Sequence, residues 1–367
     1  MNSPDSQDSP DGPMEHQFVN VTENPSLDKD KRRIHVRRTV MAQYHKQRKR
    51  QKQKAEKEAE KPKEESLTPS TSVSSPTWIR RPTHLLCAKP WANEHQARAS
   101  DAVINYLCGQ AIHGITDLSG VLFVHSSWKN GLEVTGTGAH PLLSFQQILG
   151  YYGDKDFMHI DQTPLWDAVH MEQETIYTQC EDWEPFRLLG AAQAITLYLL
   201  LRVRTGANHP VFPDGDIALL FTLSKVFKSL QDGHMRGPTL GTILPQNDEW
   251  EQWIFRESVM RTAMIYFLLD LTVNVDFGLT YDRPTDWHLH DMPLPCTKDL
   301  WLAEDMLAWK EKCPREGYIW SHSLTFGHMY SHSDIHKRRL QTWQESSDEL
   351  GLVVTLASQL DSPTRQK

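Results

Sequence analysis

The chain has 367 residues and a formal net charge of −8, and it is long enough for one large or two ordinary domains. The stretch from Met1 to Pro13 is rich in Ser, Asp and Pro and does not resemble a secretory signal. The most apolar run, Ala191–Val203, is shorter than the ~20 residues that a membrane span needs. The five cysteines are widely spaced and odd in number, which favours free thiols. Composition therefore argues against secreted and membrane-spanning classes, and we expect a soluble intracellular protein.

The acidic average hides a strong charge asymmetry. Residues 29–54 hold 12 Lys and Arg side chains and one Asp, a net charge of +11, so the rest of the chain carries −19. We call residues 29–61 the basic arm; it contains no Gly or Pro and is rich in residues that tolerate a helix. The predicted segments are residues 1–28 (acidic and disordered), 29–61 (basic arm), 62–77 (Ser/Thr/Pro linker), 78–360 (helical domain) and 361–367 (tail).

Helical spacing of apolar residues dominates the segment 78–360, and no alternation of strands and helices is visible. The best strand signal is Gly120–His125, which alternatively continues a helix. The sequence therefore predicts an all-α fold preceded by a disordered or partly helical arm. The predicted helices are Glu94–Ile112, Pro185–Val203, one capped by Asp214 or Asp216 that ends before Gly233, Asp248–Phe277, Thr297–Trp309 and Glu345–Leu360.

The basic arm contains two clusters, Arg32-Arg33 and Lys46–Arg50, separated by twelve residues as in a bipartite nuclear-import signal. Its cations would also suit contacts with DNA phosphates, and the alternative is a solvated helix that binds nothing. A leucine-zipper basic region is disfavoured, because Gln51 to Lys61 contains no Leu, Ile or Val. The residues predicted to bind an import receptor or phosphates are Lys31, Arg32, Arg33, Arg37, Arg38, Lys46, Arg48, Lys49 and Arg50.

Metal and enzyme motifs give no comparable signal. No Cys-x₂-Cys pair, phosphate-binding glycine loop, dinucleotide fingerprint or G-x-S-x-G elbow occurs in the sequence. On a helix His328, His332 and His336 would share one face, but Gly327 weakens that helix, and a histidine-rich surface helix is the favoured interpretation over a metal site. We therefore expect no catalytic residue, metal or cofactor.

Glu257 and Arg261 stand four residues apart in the order that favours an ion pair along a helix. The helix around them is apolar on every face, which is typical of a helix that is buried on most sides. The sequence thus predicts a buried, hydrogen-bonded pair that holds neighbouring helices together.

The same helix carries a family resemblance. Trp250-Glu251-Gln252-Trp253-Ile254, Glu257-Ser258, Arg261-Thr262 and Phe267-Leu268-Leu269-Asp270 resemble the central motif of the fungal-specific transcription factor domain, W-x-x-W-[IV]-x-x-E-S-x-R-R-T followed by an apolar run ending in Asp. Leu294-Pro295-Cys296 and Leu300-Trp301 are similar to its LPLPC…LW segment, and residues 18–50 resemble a block that often precedes the domain. The chain lacks the family's six-cysteine zinc cluster, and Val259-Met260 stand before Arg261-Thr262 where the motif has x-R.

The resemblance implies a nuclear transcriptional regulator, often one that controls secondary-metabolism genes, with an all-α regulatory or interaction domain. DNA through the basic arm, an import receptor and a protein partner or second copy on the helical domain are the expected partners. The alternatives are an adaptor that dimerises with a zinc-cluster factor without binding DNA, and a small-molecule sensor with a helical pocket. The motif residues expected to form a structural core are Trp250, Trp253, Glu257, Arg261, Thr262, Asp270, Pro295, Cys296 and Trp301.

Overall fold

The structure is a computed structural model. All the residues that it describes lie in the unit Trp78–Lys367. Residues 1–28, the basic arm, the linker 62–77 and the tail 361–367 lie outside them, so the predictions for these segments stay predictions. The described residues are 86–91, 93–128, 140–150, 162–206, 215–234, 242–243, 249–275, 288–313, 318–319 and 324–360.

The described residues are mainly helical, which confirms the all-α prediction. Short 3₁₀ turns at Leu118–Gly120, Cys180–Asp182, Leu289–Asp291 and Phe326–Tyr330 join some of the helices. The helices are α1 (Glu94–Thr116), α2 (Pro141–Gly150), α3 (Thr163–Gln179), α4 (Pro185–Thr205), α5 (Gly215–His234), α6 (Glu249–Thr272), α7 (Lys298–Trp301), α8 (Met306–Lys312), α9 (Asp334–Ser346) and α10 (Glu349–Ala357). Two-residue strands, β1 (Thr242–Ile243) and β2 (Tyr318–Ile319), form one antiparallel pair.

Helix α4 is the core of the domain and packs against α1, α2, α5 and α6. Pro185 begins it without needing a backbone donor, and Gly206 ends it at a φ of 82°, a left-handed conformation that suits glycine. By length and composition alone α4 could cross a membrane, but 83% of its most apolar window is buried inside the fold. Every residue from Leu188 to Arg202 is buried, so its apolar character reflects the core of the domain.

Helix α5 begins at Gly215, and Asp216 lies in its first turn. Its carboxylate Oδ1 accepts a 2.7 Å hydrogen bond from Nε of Arg202, near the end of α4, and both side chains are buried. The sequence-based prediction placed Asp214 or Asp216 at the cap; Asp216 instead ties two adjacent helices together, and Asp214 lies outside the described residues.

Helix α6 ends at Thr272, five residues before the predicted Phe277. The chain leaves the helix because its backbone pairs with the segment before α1 at that point. Leu86 N–H donates to Asn274 O at 2.8 Å, and Asn274 N–H donates to Cys87 O at 2.9 Å. The last-turn backbone is thereby satisfied without a further helical turn.

Neither of the two alternatives for Gly120–His125, a strand or a continued helix, is found. Gly120 ends a 3₁₀ turn, and residues 121–125 form a buried loop whose backbone bonds partly to its own turns and partly to side chains, not to a neighbouring strand. Gln110 Oε1 accepts from Leu122 N–H at 3.0 Å, Arg261 Nη1 donates to Leu122 O at 3.1 Å, and Gln193 Nε2 donates to Phe123 O at 2.6 Å.

Two predicted helices are each divided in two. Thr297–Trp309 is α7 and α8, because Asp305 caps a new helix by accepting from Ala308 N–H at 2.8 Å. Glu345–Leu360 is the end of α9 and all of α10, because Asp348 accepts from Gly351 N–H at 3.2 Å. In each case the aspartate side chain caps the start of a new helix, so the preceding helix does not continue through it.

Replacement of two helical glycines by alanine should have opposite effects on stability. A Cβ at Gly190, in α4, would lie 2.3 Å from the His140 ring, whereas a Cβ at Gly109, in α1, meets nothing within 4 Å. We expect Gly190→Ala to lower the free energy of unfolding by about 1–3 kcal/mol through overpacking. The matched control Gly109→Ala should raise it by about 0.5–1 kcal/mol, because it only removes chain flexibility. Urea unfolding measures both, and equal effects of the two substitutions would show that the approach to His140 is not tight.

Candidate functional site

The predicted pair on α6 is buried, as expected. Arg261 Nε donates to Glu257 Oε1 at 2.9 Å, and the two side chains are 0% and 1% exposed. The hydrogen bond runs along the helix between residues one turn apart, on its inward face.

A second carboxylate also pairs with Arg261. Nη1 donates to Asp348 Oδ2 at 2.6 Å, while Oδ1 of the same aspartate caps α10. Asp348 therefore ties the start of α10 to the middle of α6, across 87 positions of sequence. Asp348 was not among the predicted site residues, although an aspartate just before an apolar helical run is a recognised start signal.

The segment before α7 supplies the other contacts of this site. Cys296 N–H donates to Glu257 Oε1 at 2.9 Å, and Arg261 Nη2 approaches the Cys296 carbonyl at 3.4 Å and its Sγ at 3.6 Å. The Trp301 ring covers the guanidinium at 3.9 Å. We call Glu257, Arg261, Cys296, Trp301 and Asp348 the arginine cluster, and it joins α6, α10 and the segment 296–301.

The charges of the arginine cluster favour a structural role. Burial by itself would lower the pKa of Arg261, but the carboxylates of Asp348 and Glu257 outweigh it and raise that pKa above its ordinary value. Burial also raises the pKa of the Cys296 thiol well above its usual range, so the sulfur is a neutral thiol, not a nucleophilic thiolate. A permanent cation bound by fixed carboxylates holds chain segments in place.

The remaining motif residues pack around this cluster or along the same helix. Trp253 packs against Trp309 with ring centroids 5.6 Å apart, and both are fully buried. The carbonyl of Pro295 accepts from Trp343 Nε1 at 2.8 Å.

The other motif residues lie along α6. Thr262 Oγ1 donates to Ser258 O at 2.7 Å, and the Asp270 carbonyl accepts from Lys89 Nζ. Trp250 lies at the start of α6, 6.2 Å from the His125 ring.

A cavity of about 270 Å³ adjoins the arginine cluster. It lies between the loop that follows α1 and the first turns of α2, α4 and α6. The cavity and the cluster meet at His125, whose ring lies 4.9 Å from the Trp301 ring. The lining residues are His125, Ser127, Trp128, His140, Leu142, Glu184, Pro185, Phe186, Leu189, Gln193, Trp250, Glu251, Ile254 and Ser258.

Two lining histidines are neutral at physiological pH. Burial lowers the pKa of both His125 and His140 to about 4. The Nδ1 of His125 accepts from Ser127 N–H at 3.2 Å, and that of His140 accepts from Leu142 N–H at 3.3 Å. A ring nitrogen that accepts a hydrogen bond carries no proton, so both rings hold their proton on Nε2. Sequence spacing gave no signal for either histidine.

The three spaced histidines do not share a helical face. His328 lies in a 3₁₀ turn, His332 in the link that follows it, and His336 in α9. The rings of His328 and His336 pack edge to face with centroids 4.3 Å apart. Burial is the main cause that lowers the pKa of His328, and the nearby His336 is the second. Among the residues that the structure describes, no group of three His, Cys, Asp or Glu side chains is placed to hold a metal ion.

Comparison of the chain with protein-family models, with curated proteins and with solved structures finds no match. The roles of the arginine cluster and of the cavity therefore follow from their own contacts. The predicted arm residues, Lys31 to Arg50, lie outside the described residues.

Proposed function

We propose that the protein is a nuclear transcriptional regulator, and not an enzyme, with a basic arm for nuclear import and DNA-backbone contact. The observation that carries this proposal is the separation of charge: +11 on residues 29–54 and −19 on the rest of the chain. A segment of this charge density suits both an import receptor and phosphates, whereas an acidic body would be repelled by DNA. The helical domain would then regulate or bind partners.

The arginine cluster supports a regulatory domain. The motif residues Glu257, Arg261 and Cys296 bind one another and Asp348, so their polar groups serve to join chain segments. Such a junction holds α6 and α10 in one arrangement, which gives the motif residues a structural and not a catalytic role in the proposed regulator. The family resemblance adds control of secondary-metabolism genes to this proposal.

Contact between the basic arm and DNA would be strongly dependent on salt. Binding that neutralises 6–10 phosphates loses about 10³–10⁵ in affinity between 50 and 200 mM salt. The arm has 12 Lys and Arg side chains within residues 29–54, enough for contacts of this number. Such contacts would be independent of base sequence.

Removal of residues 29–54 should abolish retention of the purified protein on a DNA duplex column at about 50 mM salt. The control is removal of residues 2–27, a segment of equal length that contains no Lys or Arg, which should leave retention intact. Equal retention of both shortened proteins would contradict direct contact by the arm. Retention of the full chain only together with a DNA-binding partner would support the adaptor alternative.

A further inference from the structure

We propose that the cavity beside the arginine cluster binds a small aromatic amine, with the ring inside and the ammonium group at the mouth. The binding site itself is argued from the cavity alone. The role of the amine as the effector of a regulatory domain rests on the proposed function. It is carried by the lining of the cavity, its volume and the charges at its edge.

The interior of the cavity is mostly apolar and aromatic. Leu142, Leu189 and Ile254 are at most 5% exposed and line it together with the rings of Trp128 and Trp250. The neutral rings of His125 and His140 add flat surface without charge. Aromatic walls of this kind favour a flat ring that stacks against them.

The mouth of the cavity is acidic. Glu184 and Glu251 both line it and both are exposed, and no Lys or Arg is among the lining residues. Arg187 acts electrostatically on His140 and Arg261 acts on His125, but the Arg187 guanidinium lies over the Trp183 ring, 4.1 Å from its centroid, and the Arg261 guanidinium is bound within the arginine cluster. Two carboxylates beside aromatic rings attract an ammonium group and repel a carboxylate.

The size of the cavity limits the ligand. Its volume of about 270 Å³ lies just below the ~300–1,000 Å³ of sites for drug-sized molecules. A fused two-ring amine such as tryptamine suits a cavity of this volume. A bound ring would also contact His125. The His125 ring lies against Trp301, and Trp301 packs on the guanidinium of Arg261, so a bound ligand would be connected to the arginine cluster through these two rings.

Calorimetric titration of the purified full-length protein with tryptamine and with indole-3-acetate tests the proposal, because the two probes share a ring and differ in charge. We expect tryptamine to bind with a Kd below about 1 mM and about ten-fold more tightly than indole-3-acetate. Glu184→Gln and Glu251→Gln should each weaken tryptamine binding by about two- to five-fold, and the exposed control Glu304→Gln, outside the cavity, should not.

Binding of indole-3-acetate as tight as that of tryptamine would overturn the proposal, as would no binding of tryptamine or identical binding by all three variants. The titration contains no DNA and needs no basic arm. Its failure would therefore remove the ligand site and leave the DNA-binding test of the proposed function unaffected.

Discussion

Replacement of Arg261 by methionine should lower the free energy of unfolding by about 3–5 kcal/mol, since it removes one partner of a buried ion pair. Methionine keeps an unbranched side chain but leaves Glu257 and Asp348 as two buried carboxylates without their cation. It also removes the donors to the backbone carbonyls of Leu122 and Cys296. The measurement is urea unfolding of the full-length protein.

The matched control is Arg98→Met in α1. Arg98 pairs with Glu94 at 2.6 Å with the same helical spacing of four residues, but the two side chains are 77% and 80% exposed. An exposed pair of this kind contributes only ~0.3–0.5 kcal/mol. The triple variant Glu257→Gln, Arg261→Met, Asp348→Asn should recover part of the lost stability, because it discharges the carboxylates. Equal losses for Arg261→Met and Arg98→Met would contradict the structural role of the arginine cluster.

Acidification from pH 7.5 to pH 4.5 should destabilise the domain through His125 and His140. The unfolded state takes up a proton at each imidazole near its ordinary pKa of 6.5, whereas burial keeps the folded rings neutral down to about pH 4. The unfolded state thus binds more protons throughout this window, so stability is full above pH 6.5 and falls as the pH is lowered. The difference corresponds to roughly 3 kcal/mol for each histidine.

Urea unfolding at several pH values measures this slope. His140→Asn should make it shallower, because that variant has no imidazole at position 140 to protonate on unfolding. His332→Asn, at an exposed position outside the cavity, is the matched control for the loss of one imidazole. A slope for His140→Asn as steep as that of the unaltered protein would show that the buried ring does not contribute to it.

Local sequence patterns were sufficient to predict features that depend on the apolar residues of a single helix. The apolar spacing of α4 and α6 predicted their positions, and the even distribution of apolar residues on α6 predicted that Glu257 and Arg261 would be buried. Trp253 and Cys296 also lie in the core.

Long-range contacts account for what the patterns could not predict. Gly120–His125 has the composition of a strand, but its backbone is bound by Gln110, Gln193 and Arg261, which are distant in sequence. Asp348 is part of the arginine cluster only because the fold places the start of α10 beside α6, 87 residues earlier in the chain. The cavity depends in the same way on four separate segments, so neither His125 nor His140 carried a sequence signal.

Chromatin immunoprecipitation tests the central claim most directly. The samples are the full-length protein, a version that lacks residues 29–54, and the same shortened version with a separate nuclear-import signal. We predict enrichment of DNA with the full-length protein alone, because the basic arm supplies both import and phosphate contact. Absence of enrichment with the full-length protein, or equal enrichment with the shortened protein that carries the added signal, would contradict the account.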